Sequence, residues 1–552
     1  MDPPGGGSFV PEAEFGDPIP RNPMATLRNR GADALARALS VGGVRRLFTL
    51  SGNHVMPVFD ACLDARIELL HVRHEAAAVH MADAWARLTG EVGVALVTGG
   101  PGHANAIGAL YTAAMAEAPV VLLSGHAPTD QLGMGAFQEM RQADIAAPLC
   151  KASITSQSAD RLALDVAHAM RLAASGRPGP VHVSLPNDAL DHAADLSLVP
   201  ARDAFAPAVT PLDGDVASAL LSRLHAAQRP LVLCGPACAT RAGTERMRAL
   251  EDASGIPVLA MESPRGIADP SLGAFAQMLA QADLVLLVGK RPDFTLRFAR
   301  PPAVAASCEI LQIQPDAGEV RADPFAALEA LVQAARDAGA MRSGWCRDVN
   351  DAIAWRPPEW QRAVSGEGRL HPVQALRPLQ ALLDAHPDAV FVSDGGEFGQ
   401  WAQACLRAPR RVINGVAGSI GAGLPFACAA TLAAGAAPVI AAMGDGTFGF
   451  HPAEIDTAVR YGLPFLAIVG NDARWNAEYQ IQLRDYGAGR LVGCELLPAR
   501  YDQVAVGFGG YGELVTEPAQ LLPAAQRALA SGKPAVLNVM VEGLAAPTVR
   551  LP

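Results

Sequence analysis

Short apolar runs alternate along this chain with longer stretches in which Ala and Leu recur on one helical face. The short runs predict strands at 46–50, 69–72, 94–98, 120–123, 181–184, 230–234, 284–288, 309–313, 389–392, 439–443, 464–469 and 536–540. Amphipathic segments separate nearly all of them. Such an alternation predicts parallel sheets with helices on both faces. The expected fold class is therefore α/β, built from three doubly wound parallel-sheet domains. Breaks in the pattern set a flexible tail over 1–24 and blocks over 25–190, 212–342 and 370–545. The first connection carries Pro200, Pro207 and Pro211, and the second, over 345–371, is polar and contains Trp and Pro.

With 552 residues, a prior of roughly 150 residues per domain agrees with three or four domains. Lys+Arg 44 against Asp+Glu 55 leaves a formal net charge of −11. Together with the absence of any Lys/Arg run, that excludes a nucleic-acid binder, which needs a basic footprint. The 33 positions between Arg411 and Asp445 carry no charged residue, enough for a membrane span of ~20 apolar residues. Pro425, Pro438 and several glycines interrupt them, so they read as a buried helix, a turn and a buried strand. The tail is Pro/Gly-rich with no apolar core, which argues against a secretory signal. Nine cysteines, an odd number without a CxxC pair, read as buried thiols in a reducing, cytoplasmic setting.

The strongest chemical signal is Gly444-Asp445-Gly446-Thr447-Phe448, followed 27 residues after Asp445 by Asn471-Asp472. Each group stands at the carboxyl end of a predicted strand, and parallel neighbours bring those ends to one edge, where such folds bind ligands. The glycines let backbone N–H groups approach an anion. A helix predicted over 450–461 directs its N-terminus at the same place. Two hard oxygen ligands and a diphosphate complete a Mg²⁺ site.

GDG with an Asn-led pair at this spacing resembles the cofactor motif of thiamin-diphosphate enzymes, and the resemblance covers nearly the whole chain after the tail. It implies pyrimidine-binding, middle and diphosphate-binding domains for the three blocks. The implied metal ligands are Asp445, Asp472 and the main-chain carbonyl of Arg474. The family usually has Asn at position 472, so this chain carries an extra negative charge there. Gly444, Gly446, Thr447 and Asn471 belong to the implied cofactor-binding set. Gly418-Ser419-Ile420-Gly421 is similar to the segment supporting the bent cofactor, with Gly418 at its start and Ile420 as apolar wedge. Arg73-His74-Glu75 with Ala76, Ala77 and Ala78 opens a helix predicted over 75–88 and resembles the segment carrying the activating Glu. Glu75 would hold the proton that drives the cofactor's imino tautomer. The Gly-rich turn 99–105 follows it. Because Glu75 and the GDG site lie in different blocks, the resemblance implies a cofactor shared between two subunits: a homo-oligomer, at least a dimer and in this family often a tetramer.

Leu50-Ser51-Gly52-Asn53-His54 is similar to the segment of benzaldehyde lyase in which a His relays protons. Met134-Gly135-Ala136-Phe137-Gln138-Glu139 resembles a segment of acetolactate synthases and 2-hydroxyacyl-CoA lyases in which Gln138 would reach the substrate oxygen. Residues 289–294 and 496–510 are also similar to the latter branch. In these branches the middle block can hold FAD or ADP, which nothing else in this sequence supports. Only twelve residues follow Met540, fewer than the C-terminal lid of acyl-CoA-handling relatives, which favours small aldehydes or 2-oxo acids. The resemblance thus implies a thiamin-diphosphate- and Mg²⁺-dependent carbon–carbon lyase or carboligase, of lyase or transferase type, working through an enamine intermediate. Its substrates would be 2-hydroxyacyl-CoA, 2-hydroxyketone, aldehyde or 2-oxo acid. A 2-oxo-acid decarboxylase, an acetolactate synthase-like enzyme and a non-catalytic relative are the alternatives.

Overall fold

The computed structural model describes residues 29–341 and 344–552; the tail expected over 1–24 lies outside them. Three all-parallel sheets organise the described chain. The first contains β1 (Arg46–Thr49), β2 (Glu68–His71), β3 (Gly93–Val97), β4 (Val120–His126), β5 (Ala152–Thr155) and β6 (Val181–Pro186), in the order β2-β1-β3-β4-β6-β5. The second contains β7 (Pro230–Cys234), β8 (Val258–Ala260), β9 (Leu284–Val288), β10 (Glu309–Gln314) and β11 (Val320–Arg321), in the order β11-β10-β9-β7-β8. The third contains β12 (Val390–Asp394), β13 (Arg410–Ile413), β14 (Val439–Gly444), β15 (Leu466–Asn471), β16 (Tyr511–Val515) and β17 (Ala535–Met540), in the order β13-β12-β14-β15-β17-β16.

All twelve expected strands are present, with ends displaced by up to three residues. Five strands were not expected: β5, β8, β11, β13 and β16. Each is an edge strand. A central parallel strand is buried on both faces and reads as a continuous apolar run. An edge strand is half covered, and β5 and β16 are only partly buried along most of their length. The helix expected over 450–461 is corrected. A single helical turn, Asp445–Phe448, begins at the acidic residue itself, and a separate helix runs over Glu454–Arg460. Pro452 disfavours helical geometry at the residue before it, which breaks the segment.

The uncharged stretch becomes the helix Gly423–Ala434 and strand β14. The helix packs against the first block's helix Glu75–Thr89 through one continuous core that includes Ala77, Ala78, Met81, Phe426, Ala427 and Ala430. Small residues on both sides let the two helices approach closely. A buried ion network ties in the middle block. Arg87 donates to Ile413 O at 2.8 Å and pairs with Glu262 at 3.6 Å, and Arg411 pairs with Glu262 at 2.6 Å. All nine cysteines are free thiols. Among the described residues no helix is long and apolar enough to cross a membrane.

Candidate functional site

The carboxyl ends of β12, β14 and β15 surround a cavity of about 260 Å³. Gly444, Asp445, Gly446, Thr447, Gly418, Ile420, Asp472 and Arg474 all line it. Here the fold brings together eight of the residues singled out from the sequence. Gly446 is required by sterics, because a Cβ there would stand 2.7 Å from the indole ring of Trp475.

Asp445 is 2% exposed and its Oδ2 has no hydrogen-bond partner. Burial pushes it up to about 6, partly offset by backbone N–H groups of Gly446, Ala473 and Arg474. Ala473, at φ +59°, turns the chain directly after Asp472. Burial, reinforced by the Asp445 charge, pushes Asp472 up to about 7. Its Oδ1 accepts from Arg474 N at 3.1 Å. Two buried carboxyl groups that each resist ionisation, one with an orphaned oxygen, make a hard-oxygen donor set suited to Mg²⁺.

Asn471 stands beneath this lining. Its Nδ2 donates to Ala499 O and Asn538 Oδ1, both at 3.0 Å, and its side chain is fully buried. The Arg474 guanidinium stacks 4.1 Å from the Tyr479 ring centroid.

Several lining groups were not anticipated. Gly395, Gly396 and Glu397 end β12 and open the helix Glu397–Cys405. The signal was available: Asp394-Gly395-Gly396-Glu397 closes an apolar run as Gly444-Asp445-Gly446 does. Gly395 has φ +95°, and a Cβ there would meet Thr447 Oγ1. Pro264 and Arg265 enter from the middle block, with Arg265 paired to Glu397 at 3.3 Å. No local pattern marks them, since only packing delivers that segment. The final residues fold back over the same helix: Ala546 N donates to Glu397 Oε2 at 2.6 Å and Trp401 Nε1 to Ala545 O at 3.0 Å.

A second cluster forms at the carboxyl edge of the first sheet. Glu75 is the first residue of its helix and 8% exposed. Its Oε2 accepts from Asn105 Nδ2 at 3.0 Å. A Cβ at Gly102 would lie 2.7 Å from Thr98 Cγ2 and 3.3 Å from Glu75 Oε1, so this glycine keeps Oε1 clear. His54 is buried, its Nδ1 lies 3.2 Å from Thr98 Oγ1, and its ring stacks on Phe137 at 6.0 Å between centroids. Burial lowers its pKa, leaving a neutral imidazole at pH 7. Gln138, at φ +56°, lies against Gly100, where a Cβ would stand 2.5 Å from Gln138 O. Glu139 fixes this loop by accepting from Gly135 N at 2.9 Å and Ala136 N at 3.0 Å. Gln142, fully buried, joins the loop to the glycine turn through Gly125 O at 2.9 Å and Gly100 N at 3.4 Å.

Glu75, His54 and Gln138 thus meet around the turn 98–102, but none of them lines the Asp445 cavity. Among the described residues the clusters are linked within the chain at their margins. The His74 and His451 rings lie 5.5 Å apart, and His451 Nδ1 is 2.7 Å from Gly421 O.

Because Asn105 is the one side-chain donor to Glu75 Oε2 among the described residues, Asn105→Leu is expected to lower kcat by about tenfold, the loss of one hydrogen bond. Steady-state kinetics checks this, with unchanged thermal stability as the control. The carboxyl edge of the middle sheet is crossed by Arg177. It donates to Gly289 O and Gln314 Oε1, both at 2.6 Å, and pairs with Asp316 at 3.0 Å.

Three family models match the chain. They are the N-terminal TPP-binding domain of thiamine pyrophosphate enzymes over residues 29–145, the central domain over 217–338 and the C-terminal TPP-binding domain over 394–539. A probable acetolactate synthase of Mycobacterium bovis is 34% identical over 92% of this chain and 95% of its own. The 2-hydroxyacyl-CoA lyase 2 of Homo sapiens is 31% identical over 93% of this chain and 90% of its own. Among solved structures, the thiamine diphosphate-dependent 4-hydroxybenzoylformate decarboxylase of Rhodococcus jostii RHA1 superposes with a TM-score of 0.79. It covers 93% of this chain and 99% of its own at 21% identity, a likeness of fold.

Proposed function

Since the chain belongs to the thiamine pyrophosphate enzyme family, we propose that it is a Mg²⁺-dependent carbon–carbon lyase or carboligase acting on 2-hydroxyacyl-CoA, 2-hydroxyketone, aldehyde or 2-oxo acid substrates. The observation that carries this reading is the pair of separate clusters: a proton-handling set around Glu75 and a diphosphate–metal cavity around Asp445. Asp445, Asp472 and the Arg474 carbonyl would hold the metal. Gly444, Gly446, Thr447 and Gly418 would receive the diphosphate, and Ile420 would support the rings. Asn471 would hold the Asp472 turn from below.

Bound thiamin diphosphate supplies the electron sink that lets a bond beside a carbonyl break or form. The chain's own groups do the rest. Glu75 holds a proton at Oε1, kept in place by Asn105. Neutral His54 takes up or returns a proton at a substrate oxygen, and Gln138 donates to that oxygen as charge develops there. Because the two clusters do not share a cavity within one chain, the working unit is a homo-oligomer that places one subunit's Glu75 against its partner's metal cavity.

Incubating holoenzyme with pyruvate, with and without an acceptor aldehyde, tests the reaction class. A 2-hydroxyketone is the expected product. Free aldehyde alone would move the assignment to a 2-oxo-acid decarboxylase.

A further inference from the structure

The helix Glu397–Cys405 begins at the cofactor cavity and ends at a second cavity of about 610 Å³. Four arginines line the latter: Arg248, Arg356, Arg377 and Arg407. Arg248 comes from the middle-block helix Arg241–Ser254, Arg356 from the connection, and the other two from the third block. Asp384 is the one carboxylate in the lining, and its Oδ1 already accepts from Gln380 Nε2 at 2.8 Å.

Among the described residues, none of the four arginines has a carboxylate within ion-pairing distance. Their neighbours differ: Arg241 pairs with Asp388 at 3.3 Å and Arg246 with Glu329 at 2.7 Å. Arg356 is held in place by main-chain carbonyls alone, Ala404 at 2.7 Å, Ile353 at 2.8 Å, Trp355 at 2.7 Å and Ser271 at 3.1 Å. Burial, then the like charge of Arg407 and Arg377, pushes it down to about 10. Burial also lowers Arg407.

Arg356 therefore has a structural role in capping the end of the helix. Arg407 reaches one such carbonyl, Ile353 O, at 3.4 Å, and among the described residues the Arg248 and Arg377 guanidinium groups have no hydrogen-bonded or ion-paired partner. In a chain of net charge −11, cations gathered without counter-charge repel one another, and a multivalent anion relieves that repulsion. Guanidinium forks match phosphate oxygens two at a time, and the cavity exceeds what one orthophosphate fills.

We propose that this cavity binds a polyphosphate group, free or as the tail of a nucleotide, through Arg248, Arg377 and Arg407 with Arg356 as the fixed rim. Such an anion would brace the middle block against the third. The brace leads back to the cofactor cavity by two routes: the helix itself, and Ser271, whose Oγ accepts from Arg411 at 3.2 Å while Arg411 pairs with Glu262, two residues before Pro264.

The test is calorimetric titration of holoenzyme, saturated with thiamin diphosphate and Mg²⁺ and then freed of unbound metal. Tripolyphosphate and ATP are the two probes. One tripolyphosphate should bind per chain with the cofactor retained, and Arg377→Gln with Arg407→Gln should weaken it by at least about tenfold (~1.4 kcal/mol) without lowering Tm. Equal affinities for the two probes identify the free polyphosphate, and much tighter ATP binding identifies a nucleotide. Absence of saturable binding of either probe, or equal binding by wild type and the double variant, overturns the proposal.

Discussion

Glu75→Gln should reduce turnover by a factor of about 10²–10⁴, the range of a lost general acid–base group, while thiamin diphosphate and Mg²⁺ still bind. The substitution keeps the side chain's length and an oxygen for Asn105 Nδ2, now 3.0 Å from Glu75 Oε2. What it removes is the exchangeable proton. Glu75 does not line the Asp445 cavity, so the diphosphate and metal contacts of that cavity stay intact. Steady-state kinetics with parallel calorimetric titration of the cofactor separates the two effects. A near-normal rate would remove Glu75 from the mechanism, and loss of cofactor binding with the rate per bound cofactor intact would make it a binding residue instead.

Chelation by EDTA followed by dialysis is the second large effect: activity should fall to background and return only when Mg²⁺ and thiamin diphosphate are supplied together. Asp445 and Asp472 stand at about 6 and about 7 without metal, above the ordinary carboxylate value. A cation must therefore displace protons at low pH, and Mg²⁺ affinity should rise with pH through the interval 6–7 and flatten above it. The stability sign follows. In the metal-free fold these two groups bind more protons than in the unfolded chain between about pH 4 and pH 7. Their contribution thus lowers stability as pH rises across that window, and Mg²⁺ with the cofactor should reverse it. Thermal unfolding of metal-free and loaded enzyme from pH 5 to 8 measures both curves. Activity indifferent to chelation, or a pH-independent metal affinity, would remove the aspartate pair as the metal site.

Much of the fold was legible because a doubly wound sheet writes itself locally. Central strands such as β9 and β14 are buried on both faces, so their residues are uninterrupted apolar runs. The edge strands β5, β8, β11, β13 and β16 lack that signature, since one side of each is open and its partner is supplied from elsewhere in the chain. The break at Pro452 is a local signal, since proline disfavours helical geometry at the residue before it.

The candidate site divides the same way. The sequence by itself determined which candidate groups stand on single strand-to-helix turns: Gly444–Thr447, Asp472, and Glu75 at its helix start. There the residue types, their order and the end of an apolar run suffice, because neighbouring residues in the chain are neighbours in space. Only the tertiary structure decided that Asn471 points down to Asn538, that Pro264 and Arg265 arrive from another block, and that the last residues return to Glu397. It also decided that four arginines, contributed by four separate segments, converge on one cavity. Those contacts join residues far apart in sequence. They are fixed by how the helices Glu75–Thr89 and Gly423–Ala434 pack and by how the ion network through Glu262 closes the middle block onto the others, and no periodicity along the chain records either.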